Sequence, residues 1–412
     1  MSMEFLSVRD AWKIILNRAL DKVRLDELTV PTHKSLGYFV SDDVVARISY
    51  PKRNIALFDG YAIRAEDTTS ASTNNPIALH IVHNDAIGPF EAKLINVGEP
   101  LPEGANAVIP HEYVNVEGNI VEALKSIEPN ANVALQGEDV KSGDIIASKG
   151  TYIDKFLRVL LLRAGLNEVP VFRKIRVGIL TIGDEVVRDM DIYFNRDDVV
   201  FDITSPLIFD SLITYCDVID LGVVKDNEKV VLQAIKNPRD LDVLITLGGT
   251  SLGKRDITVR VVENEGELLF HGISVAPGRT MAFGLINDKP IFMLSGFPVA
   301  AFIQMKLLIE PYILKVYNAK IRVFPIFAEL SRRISSTIGF LNVVRVSLSK
   351  QEDKVIATPL RLRGSGILSS ISLADAILLL DEDIEGFEAG DIVPVYKKDE
   401  PWGFEYVESD LP

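Results

Sequence analysis

Cysteine is almost absent from this chain: among 412 residues only Cys216 carries a thiol. That excludes an intramolecular disulfide and any metal site built from several thiolates. Cys216 lies in a mainly apolar stretch (212–218), where a free cysteine reads as a small packing hydrophobe. Histidine is scarce as well. His33, His80, His83, His111 and His271 show no zinc-site spacing, and His80 and His83 sit three apart in a region of strand alternation, which points them to opposite faces. All five read as structural. No Ser–His–Asp or Cys–His nucleophile follows from spacing. An excess of positive charge is missing too: 44 Lys and Arg stand against 58 Asp and Glu, a net charge of -14. Non-specific nucleic-acid binding needs a cationic surface to displace counterions, so it is excluded, whereas a local basic pocket for a small anion is not. Long apolar runs are lacking. The richest, 156–166, is broken by Arg158 and Arg163 and is too short to span a bilayer. No secretory pattern is visible, because Glu4, Arg9 and Asp10 fall in an amphipathic segment. Both features point to the cytoplasm and to no membrane partner.

What is present suits a globular protein, with 47% hydrophobic and 25% charged residues. The length predicts two to four domains. Apolar residues at helical spacing (Ala11, Trp12, Ile15, Leu16, Ala19) predict a helix over 8–19, with Ser7 as its N-cap. Short alternating runs and Pro/Gly turns over 46–128 predict a small antiparallel β domain. Residues 131–172 are mixed, with a helix over 155–164 ending at Gly165. From 173 to 320 strands alternate with helices, including 205–213 and 228–236, the latter stopped by Asn237-Pro238. From 321 onward the pattern is all-β: 322–330, 343–348, 354–357, 376–380 and 392–396. The polar segment before Phe201, holding Arg188, Asp189, Asp191, Arg196, Asp197 and Asp198, reads as a solvated loop.

Three times in the α/β region a buried-strand pattern runs into a glycine-containing loop. Residues 175–181 lead into Ile182-Gly183-Asp184-Glu185. Residues 241–247 lead into Gly248-Gly249-Thr250-Ser251-Leu252-Gly253-Lys254-Arg255-Asp256. Residues 291–294 lead into Ser295-Gly296-Phe297-Pro298, which opens an apolar helix. Continuous apolar runs suit strands covered on both faces, hence a mostly parallel sheet. Ligands of such sheets sit beyond the carboxyl ends of the strands. Gly248-Gly249-Thr250-Ser251 can present backbone N–H groups and two hydroxyls to an anion, and a plain turn fits equally. The helix start after Ser295 adds a positive dipole end. Glu185 and Asp256 offer hard oxygen ligands to Mg²⁺, and solvated loop acids are the other reading. Arg255 and Arg279 are the cations available to neutralise an anionic ligand, unless they are plain surface charges. Asp59-Gly60 is by itself a turn.

Taken together these residues resemble a family, the molybdopterin molybdenumtransferases of the MoeA and gephyrin E-domain group, over nearly the whole length and in the same order. Phe58-Asp59-Gly60-Tyr61-Ala62 resembles M-D-G-Y-A, and the run from Val97 to Val108 resembles T-G-A-x-L-P-x-G-A-D-A-V. Gly137-Glu138-Asp139 with Gly143 matches G-E-D…G, and Ile182-Gly183-Asp184-Glu185 resembles T-G-D-E. The run from Gly248 to Asp256 matches G-G-x-S-x-G-x-x-D. Pro277-Gly278-Arg279 resembles P-G-K, and Ser295-Gly296-Phe297-Pro298 resembles P-G-N-P. Gly364-Ser365-Gly366 through Ala389-Gly390-Asp391 fits the C-terminal G-S…A-G-D segment.

The resemblance implies a multi-domain α/β plus β fold. It comprises a discontinuous N-terminal mixed domain (1–45 with 129–172), a β-rich inserted domain (46–128), a central α/β molybdopterin-binding domain (173–320) and a C-terminal β-barrel-like domain (321–412). It implies Mg²⁺-dependent insertion of molybdate or tungstate into adenylated molybdopterin with release of AMP. It implies a homodimer, and it makes the adenylyltransferase of the same pathway a candidate partner. By resemblance Asp59, Asp139, Glu185, Asp226 and Asp256 are the functional acids, with Glu185 and Asp256 on the metal. Gly183, Asp184, Gly248, Gly249, Thr250, Ser251, Gly253, Arg279, Ser295, Gly296, Pro298 and Ser365 would bind substrate.

The departures fall on anion-binding groups. Two family lysines fall on Gly272 and Ala276, a threonine on Val97, and S-A-M on Ala56-Leu57-Phe58. The asparagine of P-G-N-P is Phe297, and another is Thr204. Each lost charge-assisted hydrogen bond weakens ground-state binding by roughly 1.5–3 kcal/mol. A non-catalytic pterin-nucleotide-binding paralogue or scaffold is therefore the alternative to an insertase. A third reading keeps only the likeness of the α/β domain to molybdopterin adenylyltransferases, and the extra domains argue against it.

Overall fold

The computed structural model describes residues 5–237, 240–250, 256–360 and 364–402. Its central sheet grows from Ile175–Ile182 (β1), a strand buried along almost its whole length. The others are Cys216–Val224 (β2), Val243–Leu247 (β3), Glu267–His271 (β4), Ala282–Ile286 (β5) and Lys289–Leu294 (β6), in the order β2-β1-β3-β6-β5-β4. β1 pairs in parallel with β2 and β3, and β3 with β6, while β5 runs antiparallel to both β6 and β4. The sheet is thus mostly parallel with one reversed strand. The reversal is made at Asn287-Asp288, both at positive φ, as a two-residue hairpin turn requires.

Alternation within β1 explains its apolar continuity. Val177 and Ile179 join one core with the buried face of the N-terminal helix, whereas Leu180 and Ile182 join another with Val231, Ile235 and Val262. The helices are Thr204–Leu212 (α1), Glu228–Lys236 (α2), Ile257–Glu265 (α3) and Pro298–Gln304 (α4). The last continues through a π segment, Met305–Ile309, into Glu310–Val316 (α5). Cys216 lies inside the first core, where burial pushes its thiol pKa up, as a packing cysteine should behave.

The N-terminal helix spans Val8–Ala19, and the Ser7 hydroxyl accepts the Asp10 N–H at 3.0 Å. Its buried stripe (Val8, Ala11, Trp12, Ile15, Ala19) packs into the core of the central sheet. A separate small core gathers Val40, Val44, Val140, Ile153, Leu161 and Val171.

The β-rich insertion is a six-stranded sheet in the order Ala107–Pro110, Gly60–Ile63, Glu91–Ile95, Ile77–Ile81, Ile120–Ala123, Val114–Glu117. The antiparallel expectation fails at one pair: Ile77–Ile81 and Glu91–Ile95 run parallel. Residues 82–90 make no hairpin. They form a crossover, with Ile87 buried and its N–H donating to Glu103 O at 2.8 Å, so the second strand enters from the same end.

The C-terminal region closes a five-stranded barrel from Ile326–Leu330, Leu341–Gln351, Lys354–Pro359, Ala376–Leu380 and Ile392–Lys397, and pairing of the second with the fourth completes the ring. Closure leaves the barrel strands no free edge. Val275–Ala276 pairs in parallel beside Leu341, which fastens the barrel to the central domain.

Candidate active site

β1, β3 and β6 deliver their carboxyl ends to one side of the sheet, and the chain reverses its direction of winding between β1 and β3. A cavity of about 830 Å³ opens there. The loop after β1 is tied to the end of β2 by Gly183 N–H donating to Val224 O at 3.1 Å. Next to it Asp184 N–H donates to Asp226 Oδ2 at 3.2 Å, and Asp226 N–H returns to Asp184 Oδ1 at 3.3 Å. This exchange sets Asp226 beside the loop that carries Glu185, and both Glu185 and Asp226 line the cavity.

The loop after β3 needs its glycines. Gly248 has φ +90, and a Cβ there would lie 2.4 Å from Ile182 O. Gly249 has φ +67, and a Cβ there would lie 2.5 Å from Thr258 Oγ1. Gly248 N–H donates to Leu294 O at 3.0 Å and the buried Thr250 hydroxyl donates to the same carbonyl at 3.2 Å, so the loop is clamped to β6. The Thr250 O–H is thereby committed within the protein rather than offered to an anion. Ser251, Gly253, Lys254 and Arg255 lie outside the described residues.

The loop after β6 turns into α4. Ser295 Oγ accepts the Phe297 N–H at 3.2 Å, and Pro298 occupies the first helical turn. The barrel contributes Ser365, whose carbonyl accepts the Val299 N–H at 3.1 Å. Gly366 lies against the Phe297 ring, since a Cβ on it would sit 3.3 Å from Phe297 Cδ1. Arg279 enters from the 277–280 turn with its guanidinium 5.3 Å from the centre of the Phe340 ring. It is the only cation among the described lining residues, against the acids Glu185, Asp202 and Asp226.

The cavity therefore gathers Glu185, Asp226, Gly248, Gly249, Thr250, Arg279, Ser295, Gly296, Pro298 and Ser365, with Gly183 and Asp184 in its supporting loop. Three expected acids are not in its lining. Asp59 is exposed in the β-rich insertion and accepts the Val97 N–H at 2.7 Å. Asp139 pairs with Arg163 at 2.7 Å, and that guanidinium covers the Tyr50 ring. Asp256 is buried at the start of α3. Among the described residues, no three His, Cys, Asp or Glu side chains are arranged to hold a metal by themselves.

Sequence reasoning missed Arg188, Asp202 and Ser205. Arg188 is not a solvated loop residue: its guanidinium donates to Asp202 Oδ2 at 2.9 Å, to Asp220 Oδ2 at 2.7 Å and to Ser205 Oγ at 2.9 Å. The Asp202 carboxylate also takes the Ser205 N–H at 3.1 Å and the Ser205 hydroxyl at 2.6 Å, and it forms one wall of the cavity. An acid three residues ahead of Ser205 at a helix start was the available signal, since that is N-cap spacing. The same polar segment holds a helix at Met190–Asn195 and a two-residue parallel ladder between Val186–Val187 and Val200–Phe201.

Family models match three consecutive parts of the chain: the MoeA N-terminal region (domain I and II) at residues 6–165, a probable molybdopterin binding domain at 178–315, and the MoeA C-terminal region (domain IV) at 328–398. A protein of Methanocaldococcus jannaschii named for molybdopterin biosynthesis is 36% identical over 88% of this chain and 90% of its own. The molybdopterin molybdenumtransferase of Bacillus subtilis, a transferase by name, is 29% identical over 89% of this chain and 88% of its own. The crystal structure of the molybdopterin biosynthesis moeA protein from Pyrococcus horikoshii OT3 superposes with a TM-score of 0.79 at 28% identity, covering 96% of this chain and all of that one. With relatives matched across all its regions, the chain belongs to the MoeA family of molybdenum cofactor biosynthesis.

Proposed function

We propose that this chain is a molybdopterin molybdenumtransferase that takes adenylated molybdopterin and molybdate, or tungstate, and releases AMP. One observation carries the reading: a cavity of pterin-nucleotide size joins the glycine loop 248–250, the start of α4 and the carboxylates Glu185 and Asp226. Gly248 and Gly249 permit close backbone approach of a phosphate. Arg279 supplies the positive charge for an anionic group. Asp202, held by Arg188, forms part of the lining.

Mg²⁺ is the ion implied by the family, and the donor set suits it. Mg²⁺ takes hard oxygens and commonly uses one or two protein carboxylates, with water and substrate phosphates completing its shell. Glu185 and Asp226 would hold it, in place of the expected pair of Glu185 and Asp256, because Asp256 is not in the cavity lining. When bound, it would neutralise charge at the scissile phosphoanhydride. Asp256, buried at the start of α3, stays in the proposed acid set. Asp59 and Asp139 could act on a ligand only if domain movement or a second copy brought them to it, which gives the proposed homodimer a chemical reason. Exposed Phe156, Val159 and Leu162, spaced three apart on the helix Lys155–Arg163, offer an apolar face for it. The adenylyltransferase that makes the substrate is the proposed partner. No helix among the described residues is long and apolar enough to cross a membrane.

A binding-only paralogue is favoured by one observation, the single cation among the described lining residues. AMP release from adenylated molybdopterin with Mg²⁺, with and without molybdate, separates the two. Molybdate-dependent release is expected, with tungstate as the next substrate. Tight binding without release under either oxyanion overturns the insertase.

A further inference from the structure

Gln304 is fully buried at the end of α4, and both ends of its side-chain amide are used. Its Oε1 accepts the Ser295 N–H at 2.9 Å, and its Nε2 donates to Gly278 O at 2.6 Å. Ser295 opens the loop after β6, and Gly278 precedes Arg279 in a different loop; both loops line the cavity. The two loops belong to neighbouring strands and lie at the same end of the sheet, since Ala282 of β5 pairs with Met293 of β6. Ser295 follows β6, whereas residues 277–280 lie between β4 and β5, next to the segment Val275–Ala276 that pairs with the barrel.

Gly278 is shaped for this contact. Its φ is +124, and a Cβ on it would lie 3.3 Å from Gln304 Cγ. An amide is the side chain that suits the position. It needs an acceptor for one loop and a donor for the other, and it does so without burying a charge. Aliphatic replacement leaves a buried N–H and a buried carbonyl without their partners.

We propose that Gln304 is a positioning residue for substrate binding, a neutral clamp that fixes the spacing between the backbone carrying Arg279 and the helix-start loop 295–298. This rests on the reading of the cavity as the pterin-nucleotide site. Gln304 does not face the ligand. It acts by holding Arg279 and the Ser295 loop at the separation an anionic substrate bridges.

The test compares wild type, Gln304→Met and Gln304→Glu across pH. Equilibrium binding of adenylated molybdopterin and AMP-release kinetics are measured, and folding is checked by thermal melting. Gln304→Met keeps the length and loses both bonds. It should weaken binding and raise KM about tenfold, with a smaller effect on kcat. Gln304→Glu keeps the acceptor for Ser295, but it donates to Gly278 only when protonated. Relative to wild type at each pH, its KM should approach the wild-type value as pH falls, while that of Gln304→Met stays raised. A merely structural role lowers the melting temperature without this split or this rescue. Folded variants with wild-type affinity and KM at every pH overturn the clamp. If Gln304→Met does not fold, Gln304→Glu alone decides by the same criterion. Wild type that binds but releases no AMP sinks the insertase reading and leaves the clamp to be judged on affinity. Wild type that does not bind sinks both.

Discussion

Asp184 and Asp226 each donate a backbone N–H to the other's carboxylate, at 3.2 and 3.3 Å. Two acids are thereby held side by side at the ends of two adjacent strands, each partly neutralised by a peptide dipole. Asp226→Ala removes one half of this exchange together with a cavity carboxylate. Turnover should fall roughly ten- to hundredfold, with a higher Mg²⁺ requirement, and Glu185→Ala should behave alike. Mg²⁺ titrations of AMP release check this, and unchanged Mg²⁺ dependence in both variants removes these acids from the metal.

Gly248→Ala should be far more harmful than Gly222→Ala. Both glycines have positive φ, but a Cβ at 248 meets Ile182 O at 2.4 Å, whereas a Cβ at 222 meets nothing within 4 Å. About 1–2 kcal/mol of left-handed strain is expected at 222, and at 248 a larger loss together with loss of nucleotide binding. Denaturant unfolding of the two variants measures the difference, and equal losses contradict the close-approach argument.

Arg188→Met should cost about 1–3 kcal/mol at neutral pH, toward the lower end because the guanidinium is partly open to solvent. The cost should depend on pH in a stated direction. Desolvation raises the Asp220 carboxyl, but hydrogen bonds from Arg188 and the Gly222 amide outweigh it, leaving Asp220 below its ordinary value. A depressed carboxylate contributes stability fully above its unfolded pKa of about 3.9 and loses it as pH falls through the folded value. The gap between wild type and variant should therefore narrow below about pH 4. A gap constant from pH 7 to pH 3 argues against this pairing.

Lys306 and Glu310 form an ion pair of 2.7 Å with each side chain 3% exposed, across the π segment and α5. Burial pushes the Glu310 carboxyl up, against the pull of Lys306. Lys306→Met should destabilise by about 3–5 kcal/mol by stranding the acid, and adding Glu310→Leu should recover much of the loss. Thermal melting of single and double variants tests it; a double variant worse than Lys306→Met would show that the pair is net stabilising.

Phe156→Glu with Val159→Lys should yield a monomer if the exposed apolar face of Lys155–Arg163 is the dimer contact. Sedimentation at several concentrations reads the mass. A wild-type protein that is monomeric throughout removes the homodimer.

Much of the local structure was legible beforehand. Val8–Ala19 and Glu228–Lys236 form helices where apolar spacing and caps put them, and Ala376–Leu380 is a strand over its expected span. These are signals carried within one turn or one strand. β4 and β5 were less legible, because the pairing direction of Glu267–His271 and Ala282–Ile286 depends on turns and on neighbouring strands rather than on their own residues.

Glycine-bearing loops at the ends of strands buried on both faces were legible in the residue pattern, whereas the reason Gly248 admits no side chain, a φ of +90 against Ile182 O, lies in the fold. Which acids share the cavity depended on the fold. Glu185 and Asp226 meet there because β1 and β2 are parallel neighbours, while Asp59 and Asp139 stand in other regions with partners of their own. Likewise Arg188 looked solvated until Asp202 and Asp220, from two different elements, were brought beneath it. Local conformation is encoded within a few residues, whereas convergence of loop ends depends on strand order, which no local pattern records.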